Sequence, residues 1–147
     1  MAAPACVLVV DDERLVRWAV AQRLRAEGLQ VVEAGTAAEA LQQSVSIDAA
    51  ILDFTLPDGD GVSVMKTLRE ADPDLPVVML TAHRDLDTVV AAIRAGATDY
   101  VTKPFEIDDV FLRLSRAMEA TSGRRELRRL KAELARPFSV ASLIGDS

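Results

Sequence analysis

Five polar side chains follow short apolar runs in this sequence, and their chemical types suggest one reaction centre. Asp11 and Asp12 follow C-V-L-V-V, and Asp53 follows A-A-I-L. Thr81 comes after P-V-V-M-L, and Lys103 comes after D-Y-V-T. If the apolar runs are parallel strands of one sheet, their carboxyl ends bring these side chains to a common edge. Each aspartate alone could be a loop residue or a helix cap, but five such residues at four strand ends favour a built site.

Three carboxylates at such an edge repel one another, so the site needs a cation or raised carboxyl pKa values. Oxygen ligands are typical of Mg²⁺, which binds one or two carboxylates together with water and phosphate oxygens. Lys103 would add a fixed positive charge, and Thr81 would add a hydroxyl donor. These groups suit an anionic, oxygen-rich substrate and predict phosphoryl transfer. Asp53 is the best candidate nucleophile because the other groups would surround its carboxylate, which can form an acyl phosphate.

The segments that would position this site alternate between strand and helix patterns. The five predicted strands are short and apolar, and they cover residues 6–10, 31–34, 49–52, 76–80 and 99–102. The predicted helices cover residues 14–27, 36–45, 62–71 and 86–94, and a long final helix begins at Glu106. Continuous apolar strands that alternate with helices are typical of a parallel sheet covered on both faces. We therefore predict a flavodoxin-like, doubly wound α/β fold with strand order 2-1-3-4-5 and an extended C-terminal helix.

Composition and charge argue against several other classes of protein. Half of the residues are hydrophobic, but no apolar run approaches the roughly 18 residues of a membrane span. Residues 1–105 carry 9 basic and 16 acidic side chains, so we do not expect this part to bind nucleic acid. Residues 113–136 carry 8 basic and 3 acidic side chains, which we interpret as a solvated helix face. The single cysteine, Cys6, cannot form an internal disulfide, which fits a cytoplasmic protein.

Four segments together resemble the receiver domain of two-component response regulators: V-V-D-D-E, I-L-D-F-T-L-P-D-G-D-G, M-L-T-A and A-G-A-T-D-Y-V-T-K-P-F. The resemblance covers roughly residues 5–120. It implies that Asp53 accepts a phosphoryl group from a phosphohistidine of a sensor histidine kinase. It also implies that Asp12, Asp53 and the backbone carbonyl of Thr55 bind Mg²⁺, while Asp11 acts through a coordinated water.

The same resemblance implies a conformational switch. Lys103 would pair with the phosphoryl oxygens, and Thr81 would move to hydrogen-bond the phosphoryl group. Tyr100 would be the aromatic residue that turns inward with Thr81, although an aromatic residue in an edge strand often simply packs. The Lys103–Pro104 peptide bond would be cis, which would aim the lysine. Thr55 and His83 would occupy variable positions that tune the lifetime of the phosphoryl group, although the simpler interpretation of His83 is an exposed loop residue.

The final helix is predicted to extend beyond the receiver part, which we assign to residues 1–120. Residues 121–137 would form a helical linker, in which Leu127, Leu130 and Leu134 keep the three-four spacing of a coiled-coil seam. Such a seam needs a partner surface, because it reaches beyond the globular core. We interpret it as the interface of a parallel homodimer, and a flexible linker is the alternative.

Residues 138–147, F-S-V-A-S-L-I-G-D-S, resemble the entry into the ATPase domain of sigma-54-dependent, nitrogen-regulatory transcription activators. DNA and RNA polymerase would then be contacted only by domains outside this sequence. The predicted function is a phosphorylation-activated switch that catalyses only its own phosphorylation and dephosphorylation. A stand-alone receiver that acts by protein docking is one alternative. An aspartyl-phosphate phosphatase of the haloacid-dehalogenase type is another, but its signature requires a second aspartate where this chain has Thr55.

Overall fold

Five parallel strands form the central sheet in the computed structural model, which describes residues 4–43, 45–82 and 86–135. In chain order the strands are β1 (Cys6–Val10), β2 (Gln30–Ala34), β3 (Ala49–Asp53), β4 (Thr55–Leu56), β5 (Gly59–Asp60), β6 (Val77–Thr81) and β7 (Asp99–Thr102). The sheet has the order β2-β1-β3-β6-β7, whereas β4 and β5 pair only with each other, as an antiparallel hairpin. Among the sheet strands alone, this is the predicted order 2-1-3-4-5. The doubly wound α/β fold is therefore confirmed.

Helices cover both faces of the sheet. They are α1 (Arg14–Ala26), α2 (Ala37–Leu41), α3 (Gly61–Ala71), α4 (Leu86–Arg94) and α5 (Ile107–Ala135). Helices α1 and α5 bury residues such as Val20 and Leu114 against one face. Helices α2, α3 and α4 bury residues such as Met65 and Ala92 against the other face. The chain therefore forms three layers, with the sheet in the middle.

The sheet strands are apolar throughout because both of their faces are buried. Side chains alternate between the two faces along a strand, so adjacent residues enter different hydrophobic clusters. Leu8 and Leu52 pack with α2, α3 and α4, whereas Val9 and Ile51 pack with α1 and α5. All four side chains are fully buried. Burial of each stabilises the fold by roughly 1.5–3 kcal/mol relative to exposure, so the central strands form a rigid support for the residues at their ends.

Three local predictions differ from the structure or are refined by it. Helix α2 ends at Leu41 rather than near residue 45, because Leu41 is already 43% exposed and the following residues add no buried face. The hairpin of β4 and β5 was not predicted, since two-residue strands carry no periodic pattern. Helix α5 is continuous through Gly123 and includes residues 121–135 of the predicted linker. The predictions for His83 and for residues 138–147 lie outside the described ranges.

Candidate functional site

The carboxyl ends of four sheet strands meet at one edge and carry the predicted polar residues. Asp53 is the last residue of β3 and Thr81 is the last residue of β6. Asp11 follows β1 directly, and Lys103 follows β7 directly. Parallel pairing of β1 with β3, β3 with β6 and β6 with β7 places all these strand ends on the same side. The fold thus accounts for the convergence of residues that lie up to 92 positions apart in sequence.

Three carboxylates form the centre of this edge. Asp11, Asp12 and Asp53 each offer an oxygen, and these oxygens all lie within 4.8 Å of one another. Asp11 is fully buried and Asp53 is only 5% exposed, whereas Asp12 faces solvent. Backbone amides hold the two buried carboxylates in place, since Glu13 N donates to Asp11 Oδ1 at 2.8 Å and Thr55 N donates to Asp53 Oδ1 at 3.1 Å.

Lys103 supplies the positive charge that opposes these carboxylates. Its Nζ lies 2.8 Å from Asp11 Oδ2, 3.0 Å from Asp53 Oδ2 and 3.2 Å from Glu13 Oε1. The backbone N–H of Lys103 donates to the carbonyl of Thr81 at 2.7 Å, which ties the end of β7 to the end of β6. The Lys103–Pro104 peptide bond is cis, as the sequence resemblance implied.

The surroundings of the site raise the pKa of both Asp53 and Lys103, which disfavours the charged carboxylate but favours the charged ammonium. Burial, followed by the negative charge of Asp11, raises the pKa of Asp53 from 3.8 to about 6, although Lys103 and the Thr55 amide partly counter this. Burial lowers the pKa of Lys103, but its bonds to Asp11 and Asp53 outweigh that effect and raise the pKa overall. The lysine therefore stays charged, and Asp53 ionises around pH 6, so it is mostly charged at neutral pH.

The donor set fits a hard divalent cation. Among the described residues, Asp11 Oδ2 is the buried side-chain oxygen that lacks a well-directed hydrogen bond, although the Lys103 ammonium lies 2.8 Å away as an ion pair. A buried oxygen with spare lone pairs next to two further carboxylates satisfies the preference of Mg²⁺ for oxygen ligands. One lysine also leaves the group of three carboxylates with excess negative charge. The residues present therefore suit Mg²⁺.

Two further residues shape the site, and the sequence did not predict either contribution. Glu13 contacts Lys103 across 90 positions of sequence, a pairing that no local pattern reveals. Gly61 donates its N–H to the carbonyl of Phe54, and a side chain at Gly61 would overlap the carbonyl oxygen of Asp53. The D-G-D-G segment was the available signal for this close approach.

The predicted switch and dimer residues occupy different places. Thr81 is buried at the edge of the site with 3% exposure. Tyr100 is half-buried in β7 and packs against the hydrophobic cluster beneath α3 and α4. It lies two residues before Thr102, which pairs with Thr81 in the sheet. The predicted dimer residues are distant from the site and exposed: Leu127, Leu130 and Leu134. Across the described residues, no helix combines the length and apolar character that a membrane crossing requires.

Comparison with known proteins adds a consistent family assignment. The family model described as response regulator receiver domain matches residues 7–115. The chain is 41% identical over 120 residues to the probable transcriptional regulatory protein TcrX of Mycobacterium tuberculosis, covering 80% of this chain and 51% of that protein. It is 38% identical over 114 residues to the DNA-binding transcriptional regulator NtrC of Escherichia coli, covering 76% of this chain and 24% of NtrC.

A solved structure shows the same similarity in three dimensions. The crystal structure of NtrX from Brucella abortus in complex with ADP superposes with a TM-score of 0.81 at 37% identity, over 86% of this chain and 30% of that one. The chain therefore spans about half of TcrX, and less than a third of NtrC and of NtrX. Similarity is limited to the part of those proteins that this chain covers.

Proposed function

Because this chain belongs to the response regulator receiver domain family, we propose that it is a phosphorylation-controlled switch whose phosphoacceptor is Asp53. One observation carries this proposal. The Asp53 carboxylate is 5% exposed at a strand end, 3.0 Å from the Lys103 ammonium, and near oxygens of Asp11 and Asp12. A carboxylate enclosed by one cation and two further acids is arranged for an anionic group rather than for packing.

The phosphodonor in this proposal is a phosphohistidine of a sensor histidine kinase. A carboxylate oxygen of Asp53 attacks the phosphorus atom, the P–N bond breaks, and the imidazole leaves with the bonding electron pair. The product is an acyl phosphate on Asp53. With a pKa of about 6, this carboxyl is mostly ionised at neutral pH and is therefore able to attack. Lys103 remains charged and would pair with the phosphoryl oxygens in the transition state.

We assign the metal role to Mg²⁺, held by Asp12, Asp53 and the backbone carbonyl of Thr55, with Asp11 acting through water. When bound, the ion would neutralise charge on the phosphoryl oxygens. Asp11 and Thr55 support this assignment because both are already ordered around Asp53. The backbone amide of Glu13 donates to the Asp11 carboxylate, and the backbone amide of Thr55 donates to the Asp53 carboxylate.

An apolar surface beside the site supports docking of the kinase there. A groove of about 490 Å³ lies between the start of α1 and the turn that follows β7, and Lys103 and Glu13 are among its lining residues. Its walls are mainly apolar, with Val16, Ala19, Pro104, Phe105 and Ile107 among them. Leu15, which also lines the groove, is 80% exposed, and Trp18 on the same helix is 56% exposed. Large exposed apolar side chains that adjoin a reaction centre are typical of a protein-binding surface.

Phosphorylation would act through the face formed by α4, β7 and α5. The added phosphoryl group would draw Thr81 toward it, and Tyr100 would repack inward, which shifts the population between two arrangements. The ion pair between Arg113 Nη1 and Asp99 Oδ1, at 3.0 Å, links α5 to β7 and supports coupling between them. The readout we propose is a change in a homodimer formed through α5.

The output of this switch would lie in domains outside this chain. The similarity to NtrC, named as a DNA-binding transcriptional regulator, supports control of a sigma-54-dependent transcription activator, with residues 138–147 as the start of its ATPase domain. DNA and RNA polymerase would be reached only through those domains. We place this protein in the cytoplasm, which is supported by its single cysteine, Cys6, buried and free.

Labelling by a small phosphodonor tests the assignment of Asp53. The purified chain, incubated with acetyl phosphate and Mg²⁺, should gain the mass of one phosphoryl group, and Asp53→Asn should gain none. Asp60→Asn is the matched control, because Asp60 lies in the same segment but caps α3 through the amide of Ser63. This control should be labelled like the unmodified chain. Persistent labelling of Asp53→Asn, with its circular dichroism unchanged, would refute the assignment.

A further inference from the structure

The ammonium of Lys103 is surrounded by carboxylate oxygens. Its Nζ lies 2.8 Å from Asp11 Oδ2 and 3.0 Å from Asp53 Oδ2, and it donates a hydrogen bond to Glu13 Oε1 at 3.2 Å. An ammonium carries three N–H groups, and these three oxygens, together with the side-chain carbon, fill the tetrahedral positions around the nitrogen. A phosphoryl oxygen on Asp53 can therefore pair with Lys103 only if one of the three carboxylates gives way.

The three carboxylates differ in how easily they can leave. Asp11 is fully buried and accepts the backbone amide of Glu13 at 2.8 Å, and Asp53 is 5% exposed and accepts the amide of Thr55. The side chain of Glu13, in contrast, is 59% exposed. An ion pair of this kind contributes little free energy, because water competes for both partners. Glu13 is therefore the partner of Lys103 that an incoming anion displaces at the lowest cost.

The place of Glu13 in the chain shows that this contact is not a by-product of helix capping. Glu13 directly precedes α1, where a side-chain oxygen often accepts an amide of the first turn, but its carboxylate makes no such bond. It reaches Lys103 instead, 90 positions away in sequence, and both residues line the apolar groove beside the site. A carboxylate that leaves Lys103 can therefore turn into the open groove.

We propose that Glu13 is a placeholder for the phosphoryl group: its carboxylate occupies one N–H of Lys103 in the resting protein and yields it to a phosphoryl oxygen when a donor binds. This inference deepens the proposed function and rests on it, since it names a residue that controls entry into the same site. Because Glu13 competes for the ammonium, it weakens the binding of small anionic donors. It acts through Lys103, so it is a positioning residue.

Labelling kinetics with acetyl phosphate and Mg²⁺ test the placeholder. At low donor concentration, Glu13→Gln should be labelled on Asp53 roughly three- to tenfold faster than the unmodified protein. The gain should appear as a lower half-saturating donor concentration with little change in the maximal rate, because a competitor for Lys103 weakens the bound donor and the transition state alike. Glu106→Gln is the matched control and should leave the rate unchanged. Glu106 is exposed and also directly precedes a helix, but it is not a partner of Lys103.

Glu13→Asp separates the contact from the net charge. Aspartate keeps the charge but is shorter by one methylene, and it is preferred directly before a helix, where it accepts amides of the first turn. This carboxylate should therefore leave Lys103 and cap α1. If the contact matters, Glu13→Asp should be labelled faster than the unmodified protein, as Glu13→Gln is. A rate no higher than that of the unmodified protein, for either variant, would overturn the proposal.

A measurement without phosphoryl transfer keeps this inference separate from the assignment of Asp53. Lys103 is one of three lysines, so the NMR signal of its ammonium group can be assigned with Lys103→Ala. Inorganic phosphate with Mg²⁺ should shift this signal at a several-fold lower concentration in Glu13→Gln than in the unmodified protein. Equal concentrations, or no shift in either protein, would overturn the placeholder. A protein that shows the difference but gains no phosphoryl group from acetyl phosphate would refute the proposed function alone.

Discussion

Replacing Asp53 by asparagine should make the metal-free protein more stable at neutral pH. Burial and the charge of Asp11 raise the pKa of Asp53 to about 6 in the folded protein, from 3.8 as the ordinary value. The folded state therefore disfavours the ionised carboxylate that is present at neutral pH. Asparagine has nearly the same shape and carries no charge, so the variant should fold without this electrostatic penalty.

The size of the effect follows from the two pKa values of Asp53. Above both values, the difference between 3.8 and about 6 corresponds to about 3 kcal/mol of unfolding free energy. The substitution also weakens the 3.0 Å contact with Lys103, which offsets part of that gain. We therefore expect a net stabilisation of about 1–3 kcal/mol, or roughly 3–10 °C in Tm for a domain of this size.

The pH dependence of this effect has a defined sign. Because the folded pKa of Asp53 lies above its unfolded value, stability linked to this group is present below about pH 4 and is lost as the pH rises through about 6. Asp53→Asn lacks this loss. The advantage of the variant should therefore be near zero at about pH 4 and reach its full value above about pH 7.

Chemical denaturation in the presence of EDTA, followed by circular dichroism across this pH range, measures the difference directly. Asp12→Asn is the matched control, because its carboxylate faces solvent in the same cluster and should change stability less. Addition of Mg²⁺ should stabilise the unmodified protein more than Asp53→Asn, since a ligand of the folded state shifts the unfolding equilibrium. A variant that is less stable than the unmodified protein at pH 7.5, or an advantage independent of pH, would refute this reasoning.

Three further substitutions test other parts of the site and its support. Lys103→Ala should lose most labelling by acetyl phosphate, and it should raise the pKa of Asp53 further because the neighbouring cation is removed. A labelling rate equal to that of the unmodified protein, measured over several pH values, would contradict this. Gly61→Ala should destabilise the fold by about 1–3 kcal/mol, because the added Cβ overlaps the Asp53 carbonyl. Gly123→Ala is the control, because a Cβ at Gly123 on α5 meets no other atom and should stabilise the helix by up to about 1 kcal/mol. Equal urea midpoints of unfolding for the two variants would count against the packing argument. Thr81→Ala should retain phosphoryl labelling at Asp53 but lose the change in the NMR signals of the single tyrosine ring that beryllofluoride induces in the unmodified protein; an unaltered response would exclude Thr81 from the switch.

The main elements could be predicted from sequence because their signals are local. The strand that ends at Asp53 is a run of buried apolar residues, and Gly28 ends the pattern of α1 with a positive φ of 86°. Thr36 caps α2 by accepting the amide of Glu39 at 3.1 Å, and its Thr-x-x-Glu spacing is a local pattern typical of a helix start. Patterns of this kind involve only residues that are close in sequence, so they can be recognised without knowledge of the fold.

The small hairpin after Asp53 and its contact with the start of α2 carry no local sequence signal. Thr55–Leu56, which pairs with Gly59–Asp60, is too short to show alternation, and the loop between the two strands also contacts residues outside the hairpin. Asp58 provides one such contact, since its two carboxylate oxygens accept the amides of Ala37 and Ala38 at the start of α2. These contacts join segments about 20 residues apart, and no periodic pattern records them.

The sequence by itself determined which groups stand at the strand ends and which family the chain resembles, because strand pattern, helix stops and residue type are properties of short segments. Tertiary structure alone decided how those groups act on one another. The 2.8 Å contact of Lys103 with Asp11, the added contact with Glu13 and the raised pKa of Asp53 arise only when distant strand ends become neighbours in a water-poor site. Likewise, the leucine spacing was visible in the sequence, but only the pairs of Arg125 with Asp72 and Arg128 with Asp74 show which way that stripe faces. Charge interactions depend on distance and burial, and both are set by the packed fold.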